Sequence, residues 1–195
     1  MSSEIGICNH SLALLGVRSI TSFDDGTTES SLCATLYPTT RDEVLEVRAW
    51  TFATDRATLL PDATDPDWGY DHRFLIPTTT RRVLAVWENP PQPGQENVTI
   101  PLNWNREGRY ILASLEKIYV RFTHAITDTT LFSDLFADVL AYRLAADMCI
   151  ALTQSRTLMV DMNTLYTSKL VRAGLTDGQQ GVRENKYVGS YVLRR

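Results

Sequence analysis

Apolar residues recur at helical spacing near both ends of the chain and predict four helices, two at each end. Ser3 and Glu4 suit the start of the first helix, because a serine oxygen caps free N–H groups and a carboxylate favours the positive helix end. The third helix has the widest apolar face, which must be buried against other helices. The predicted helices lie at about 3–15, 28–49, 131–152 and 157–173.

Two residues are expected to interrupt this pattern. Pro38 lies inside the second helix, where it removes a backbone donor and clashes with the preceding turn. We therefore predict a kink or a break there, with Thr39 or Thr40 capping a restarted helix. Gly174 follows the last apolar positions of the fourth helix and is predicted to end it.

The middle of the chain has short apolar runs separated by prolines and glycines, which is typical of strands and turns. The run from Asn89 to Gln95 contains three prolines and a glycine, so it should be an exposed loop. Gly108 is predicted to form a hairpin turn. The predicted strands are Thr51–Leu60, Arg82–Glu88 and Ile118–Arg121, with a possible fourth at Arg109–Leu112.

These elements predict an α+β fold. We expect an antiparallel helical bundle of about four helices from both chain ends, with a small antiparallel β region inserted between the second and third helices. One domain would span residues 1–176, with helices within about 3–49 and 131–174 and the β insertion at about 50–130. Residues 177–195 lack a long periodicity, and we expect an extended C-terminal tail that docks on a partner.

Charge is distributed unevenly along the chain, whose formal net charge is −4. Residues 1–165 carry 13 Lys and Arg against 21 Asp and Glu, a net −8, whereas residues 166–195 carry 6 against 2, a net +4. The acidic body argues against general nucleic-acid binding, because phosphate contacts need clustered basic side chains. The basic tail indicates either docking on an acidic surface or a solvated terminus with incidental charge.

The sequence contains no convincing catalytic or metal-binding motif. Cys8, Cys33 and Cys149 lie among apolar neighbours without CxxC spacing, which predicts buried, reduced thiols. The three histidines also lack metal-ligand spacing: they are His10, His72 and His124. We expect no catalytic residue, no metal and no cofactor. With neither a signal-peptide pattern nor an apolar run long enough to span a membrane, the chain is expected to be soluble in the cytoplasm where it is made.

Two further groups of residues have structural interpretations. Four carboxylates occur between Asp62 and Asp71, at positions 62, 65, 67 and 71. A solvated acidic loop is predicted, with a calcium site as the alternative, although Pro61 and Pro66 do not suit a calcium loop. Trp50 is predicted to lie in the core, and the other tryptophans in the β-region core or a subunit interface: they are Trp68, Trp87 and Trp104.

Six short pieces, spread in order over about residues 5–175, resemble a known family. They are Ile7-Cys8-Asn9-His10-Ser11-Leu12-Ala13-Leu14-Leu15-Gly16; Ile20-Thr21-Ser22-Phe23-Asp24-Asp25-Gly26-Thr27; Tyr37-Pro38 with Arg41-Asp42-Glu43-Val44-Leu45; Trp50-Thr51-Phe52-Ala53 with Ala57, Leu59, Leu60 and Pro61; Phe74-Leu75-Ile76-Pro77 with Arg82-Val83-Leu84; and Phe132, Leu135 and Phe136 with Leu140, Arg143, Leu144 and Ala145. Together they resemble the head-to-tail adaptor family of short-tailed (podovirus-type) bacteriophages, also called tail tubular protein A.

The resemblance implies a structural protein of the virion and not an enzyme. Such adaptors form a ring, dodecameric in the virion, that joins the portal protein to the tail nozzle protein. DNA passes through the ring during genome ejection without specific binding. The expected location is the tail or neck of the virion, with no membrane contact, and tail fibres are a further candidate partner. A nozzle or tail-completion protein and a tail-borne hydrolase are the alternatives.

In this family the C-terminal segment reaches along the portal and becomes ordered there. The basic tail of this chain, with its scattered aromatic residues, suits that role, although it matches no family motif residue by residue. The candidate portal-docking residues are Val182, Arg183, Lys186, Tyr187, Tyr191, Arg194 and Arg195.

Overall fold

The computed structural model describes residues 3–92 and 102–178. Each of its four helices begins at a serine or threonine whose side-chain oxygen accepts a backbone N–H from the first turn, which satisfies a donor that the helix itself leaves free. These capping residues are Ser3, Thr27, Ser133 and Ser155. The helices are α1 (Glu4–Leu14), α2 (Thr28–Val47), α3 (Asp134–Thr153) and α4 (Arg156–Asp177).

Helix α3 is the centre of the helical part, and each of the other three helices packs against it. Gln154 takes up a left-handed conformation, with φ of 53°, and so turns the chain sharply into α4. An aromatic cluster closes one end of this core: the rings of Trp50 and Phe136 meet edge to face at 5.0 Å, and Phe52 and Phe132 pack beside them. The predicted core position of Trp50 is confirmed.

Helix α2 runs through Pro38 without interruption, so the predicted break and restart are wrong. Proline removes one hydrogen bond from the helix, but residues on both sides of it are buried against the rest of the protein. Cys33, Tyr37, Val44 and Leu45 all belong to the helical core. Their burial outweighs the local cost of the proline.

Six strands lie between α2 and α3. They are β1 (Thr54–Leu59), β2 (His72–Leu75), β3 (Thr80–Trp87), β4 (Trp104–Glu107), β5 (Tyr110–Ala113) and β6 (Ile118–His124). They form two antiparallel three-stranded sheets, one in the order β1-β6-β3 and the other in the order β2-β5-β4. Gly108, with φ of 57°, turns β4 into β5, as predicted for a hairpin.

The two sheets share a hydrophobic core of their own. Along β6, alternate residues Ile118, Val120 and Phe122 are buried, as the period of a strand requires. They pack with Phe74 of β2 and Ile111 of β5, which come from the other sheet. The β part is therefore held together by contacts between its sheets and not only by contacts with the helices.

The predicted architecture, an antiparallel bundle with a small inserted β region, is wrong. The protein is α+β with four helices and two three-stranded antiparallel sheets, and the strands occupy the middle of the chain. The prediction missed β2 and β4, because each has only four residues and β4 is largely polar. Because β2 and β4 were not predicted, neither the second sheet nor the hydrophobic core between the two sheets was predicted.

Two details of the helices also differ from the prediction. Leu131 and Ile150 belong to the apolar pattern that predicts a buried face for the third helix, but both are about half exposed. Gly174 does not end the fourth helix, which continues to Asp177.

None of the helices within residues 3–92 and 102–178 combines the length and the hydropathy that a membrane-spanning helix needs.

Candidate functional site

Charged side chains from α2 and β3 meet beside the helical core. The carboxylate of Asp42 accepts two hydrogen bonds from Arg41, at 2.8 and 3.0 Å, and also pairs with Arg81 of β3. Arg41 is buried, and a buried guanidinium needs such a partner to offset the loss of water. This group of charges fastens the first sheet to α2.

A second charged group joins α2 to α3. Arg143 donates to both oxygens of Glu43, at 3.1 and 3.2 Å, and lies 3.1 Å from Asp147. The pKa of Asp147 is raised above its usual value, because the effect of burial outweighs the lowering effects of the Arg143 charge and the Thr40 hydroxyl. Burial alone would lower the pKa of Arg143, but Glu43 and Asp147 raise it above its usual value. Both groups bind residues of the same chain and thereby position α2, α3 and β3.

The turn between α1 and α2 is held by two side chains from the resembling pieces. The amide of Asn9 brackets Ile20, accepting from its N–H at 2.8 Å and donating to its carbonyl at 2.9 Å. The carboxylate of Asp25 accepts from the backbone N–H and the hydroxyl of Thr21, at 2.6 and 2.8 Å. These bonds lower the pKa of Asp25. The turn is therefore fixed by specific hydrogen bonds and not only by its glycines.

The C-terminal end of α4 is fastened to the segment that leads from α2 to β1. Arg48 donates to the carbonyl of Gly174 at 2.6 Å, and the Asp177 carboxylate accepts from both the N–H and the hydroxyl of Thr51 at 2.9 Å. A Cβ atom at Gly174 would lie 2.0 Å from the Arg48 guanidinium, so any larger residue there would displace the guanidinium from its present position. We call Arg48, Thr51, Gly174 and Asp177 the α4 anchor.

The predicted portal-docking residues, from Val182 to Arg195, lie outside the described residues. Asp177, the first residue of the predicted tail, is the last residue of α4 and is almost fully buried. The α4 anchor thus fixes the point from which residues 179–195 depart.

Sequence reasoning did not find the α4 anchor. A glycine after the last apolar position of a helix ordinarily indicates its end, and Gly174 was interpreted in that way. The partner of Gly174 is Arg48, 126 residues earlier in the chain. No local pattern carries such a pairing, so the sequence alone offered no signal for it.

The acidic stretch 62–71 is a surface segment whose carboxylates partly face basic side chains. Asp62 pairs with Arg73 at 2.9 Å, and Asp65 lies 2.9 Å from the ring of His72. The segment borders an open pocket of about 430 Å³ on the second sheet, which is also lined by Trp68 and Tyr110. Trp68 is 84% exposed, so its predicted place in a β-region core is not observed, whereas Trp87 is buried and Trp104 half-buried.

The thiols and imidazoles do not form a reactive cluster. Cys8, Cys33 and Cys149 are free and buried, as predicted. A hydrogen bond with Cys33 and burial raise the pKa of the Cys8 thiol far above its usual value, which keeps it protonated. Within the part of the chain that the structure describes, no three His, Cys, Asp or Glu side chains lie close enough together to hold a metal ion.

No protein-family model matches the chain, and no curated protein is significantly similar to it.

Proposed function

We propose that this protein is a structural component of a bacteriophage virion: a ring-forming head-to-tail adaptor that joins the portal to the tail nozzle and lines the DNA conduit. The proposal begins from the six ordered pieces that resemble such adaptors. It does not invoke catalysis, because the protein would act by assembly.

One observation carries the proposal: the pieces of the resemblance, far apart in the sequence, contact one another in the fold. Asn9 of the first piece binds Ile20 of the second. Glu43 of the third pairs with Arg143 of the sixth, and Trp50 of the fourth stacks on Phe136, also of the sixth. The matched residues thus include contacts that position α1, α2 and α3 relative to one another, which is the helical body that the proposed ring requires.

The α4 anchor supports a docking role for the C-terminal tail. A docking segment orients the body to which it belongs when the start of the segment is held firmly on that body. Asp177 and Gly174 supply that point, because their hydrogen bonds hold the end of α4 against Arg48 and Thr51. The basic tail would then lose its conformational freedom only when it docks on the portal.

The charge of the body supports a conduit that does not bind DNA tightly. Residues 1–165 carry a net charge of −8. Negative potential lowers the affinity of a surface for the phosphate backbone, so a duplex can slide past it.

The test is portal binding by the full chain and by a chain that ends at Gly178, which keeps the α4 anchor intact. We expect the full chain to co-sediment with the portal of the same phage and the shortened chain to lose that binding, with circular dichroism and thermal melting unchanged. A full-length variant with Tyr187→Ser and Tyr191→Ser, which keeps every basic residue, separates aromatic anchoring from charge. Equal portal binding by the full and shortened chains would contradict the docking role of the tail.

A further inference from the structure

Helix α4 carries an uncharged, exposed stripe along the side that faces away from α3. Its members are spaced four, three, four and four residues apart, so they follow one face of the helix. Three of them are aliphatic and more than half exposed: Val160 at 53%, Val171 at 57% and Leu175 at 63%. The opposite face, with Met162 and Ala173, is buried in the core. The stripe consists of Val160, Thr164, Thr167, Val171 and Leu175.

The two threonines make this stripe more apolar than their hydroxyls suggest. The hydroxyl of Thr164 donates to the carbonyl of Val160 at 2.9 Å, and that of Thr167 donates to Asn163 at 3.0 Å. Each hydroxyl is thus engaged with the preceding turn of its own helix. Both threonines are exposed, so with their hydroxyls engaged they add to the uncharged surface between Val160 and Val171.

Two opposite charges flank the stripe on the same side. Asp161 and Arg172 follow Val160 and Val171 by one residue each, so both are rotated from the stripe in the same direction. Both residues are exposed, and in the described part of the chain neither is in an ion pair. One flank of α4 therefore carries a negative charge near its start and a positive charge near its end.

This arrangement is complementary to itself in an antiparallel pair. When Val160 of one helix lies opposite Leu175 of a second copy, Thr164 lies opposite Val171, and the apolar stripes meet along their length. A two-fold axis keeps equivalent flanks on the same side, so Asp161 of each copy lies within about one helical turn of Arg172 of the other. The antiparallel alignment therefore brings the apolar stripes together and forms two ion pairs, each between Asp161 of one copy and Arg172 of the other.

We propose that the free protein self-associates through α4, as an antiparallel two-fold pair centred between Thr167 and Ser168. The partner is a second copy of this chain, because the stripe and its charges complement themselves. This inference does not rest on the adaptor proposal. A two-fold contact cannot pass from subunit to subunit around a closed ring, so the pair would separate when the ring assembles.

Two single-cysteine variants test the geometry of the pair. Cysteine introduced by Ser168→Cys lies beside the two-fold axis, so two copies should be joined by a short bis-maleimide into covalent dimers. In the matched variant Thr157→Cys, also exposed on α4, the two thiols would be about 30 Å apart and should not be joined. The native thiols are buried in both variants. Equal cross-linking of the two variants would overturn the proposed register.

A charge exchange tests the pairing in solution, with the dimerisation constant measured by sedimentation equilibrium. Asp161→Arg should weaken dimerisation roughly tenfold, because it replaces two attractions by two repulsions. The double variant Asp161→Arg with Arg172→Asp should restore it, which a folding defect would not do. An unchanged constant for Asp161→Arg, or a full chain that stays monomeric at high concentration, would overturn the proposal. Dimers formed only by the chain ending at Gly178 would instead assign this face to the C-terminal tail.

Discussion

The helical part of this protein has a much larger hydrophobic core than the β part. Among the described residues, twenty-five buried side chains form the helical core, against eight in the core between the sheets. Exposed side chains are concentrated in two strands: β1 is exposed at three of its six residues and β4 at three of its four. Large unfolding effects are therefore expected from the helices, while the sheets offer surface for contacts at little cost in stability.

The sharpest contrast comes from the same substitution in the two parts. Trp50→Ala removes a fully buried ring that stacks on Phe136 and donates to the carbonyl of Val44 at 2.8 Å, so the free energy of unfolding should fall by about 3–5 kcal/mol. Trp68→Ala, at an 84% exposed position, should change it by less than about 0.5 kcal/mol. Urea unfolding monitored by circular dichroism measures both. Similar losses for the two variants would remove the distinction between the regions.

The α4 anchor, which joins α4 to the segment between α2 and β1, should rank next. Asp177→Ala removes the buried carboxylate that accepts from the N–H and the hydroxyl of Thr51, and should lower the free energy of unfolding by about 1–2 kcal/mol. Thr157→Ala, at an exposed position of the same helix, is the matched control and should cost less than about 0.5 kcal/mol. Thermal melting measures both variants. Equal melting temperatures would mean that the hydrogen bonds of Asp177 do not stabilise the end of α4.

A smaller effect is expected from the glycine of the anchor. Gly174→Ala favours the helix intrinsically but displaces the Arg48 guanidinium from its carbonyl, for a net loss of about 1 kcal/mol. Gly178→Ala meets open space and should leave stability unchanged within about 0.5 kcal/mol. If Gly174→Ala proved as stable as the unchanged protein, the close approach of Arg48 would contribute nothing.

The smallest effect concerns a flaw inside the helical core. The buried hydroxyl of Tyr37 has no hydrogen-bond partner among the described residues, so Tyr37→Phe should leave stability unchanged or raise it by up to about 1 kcal/mol near neutral pH.

The same residue predicts a dependence on alkaline pH. Burial raises the pKa of Tyr37, so the folded protein favours the protonated phenol. This contribution to the free energy of unfolding is complete below the pKa of an unfolded tyrosine, about 10, and is lost as the pH rises above that value. The melting temperature of Tyr37→Phe should therefore fall less steeply above pH 10 than that of the unchanged protein. Parallel curves would show that the hydroxyl stays accessible to water.

The sequence predicted the helices better than the sheets, for a physical reason. The apolar stripes of α1 and α3 repeat over several turns, so their existence follows from the pattern alone. Strands β2 and β4 have four residues each, too few for alternation to stand out. The continuity of α2 through Pro38 depends on burial against distant residues, which a local rule on proline does not include.

At the candidate site, too, local features could be predicted from the sequence and long-range pairs could not. Capping by Ser3 and the buried cysteines followed from local sequence. The pairs Arg48–Gly174, Thr51–Asp177 and Glu43–Arg143 each join residues at least 100 positions apart, and only the folded chain brings them together. The docking role of Val182–Arg195 stays a prediction.

The most direct test of the adaptor proposal is the number of copies that one portal ring binds. The full-length protein would be mixed with the purified portal of its own phage, and the mass of the complex measured by native mass spectrometry or sedimentation. We expect saturation at roughly twelve copies per portal ring: the resemblance implies that number, and a closed cyclic assembly has a fixed number of sites. A well-folded protein that does not bind the portal, or binds it in variable numbers without saturating, would contradict the proposal.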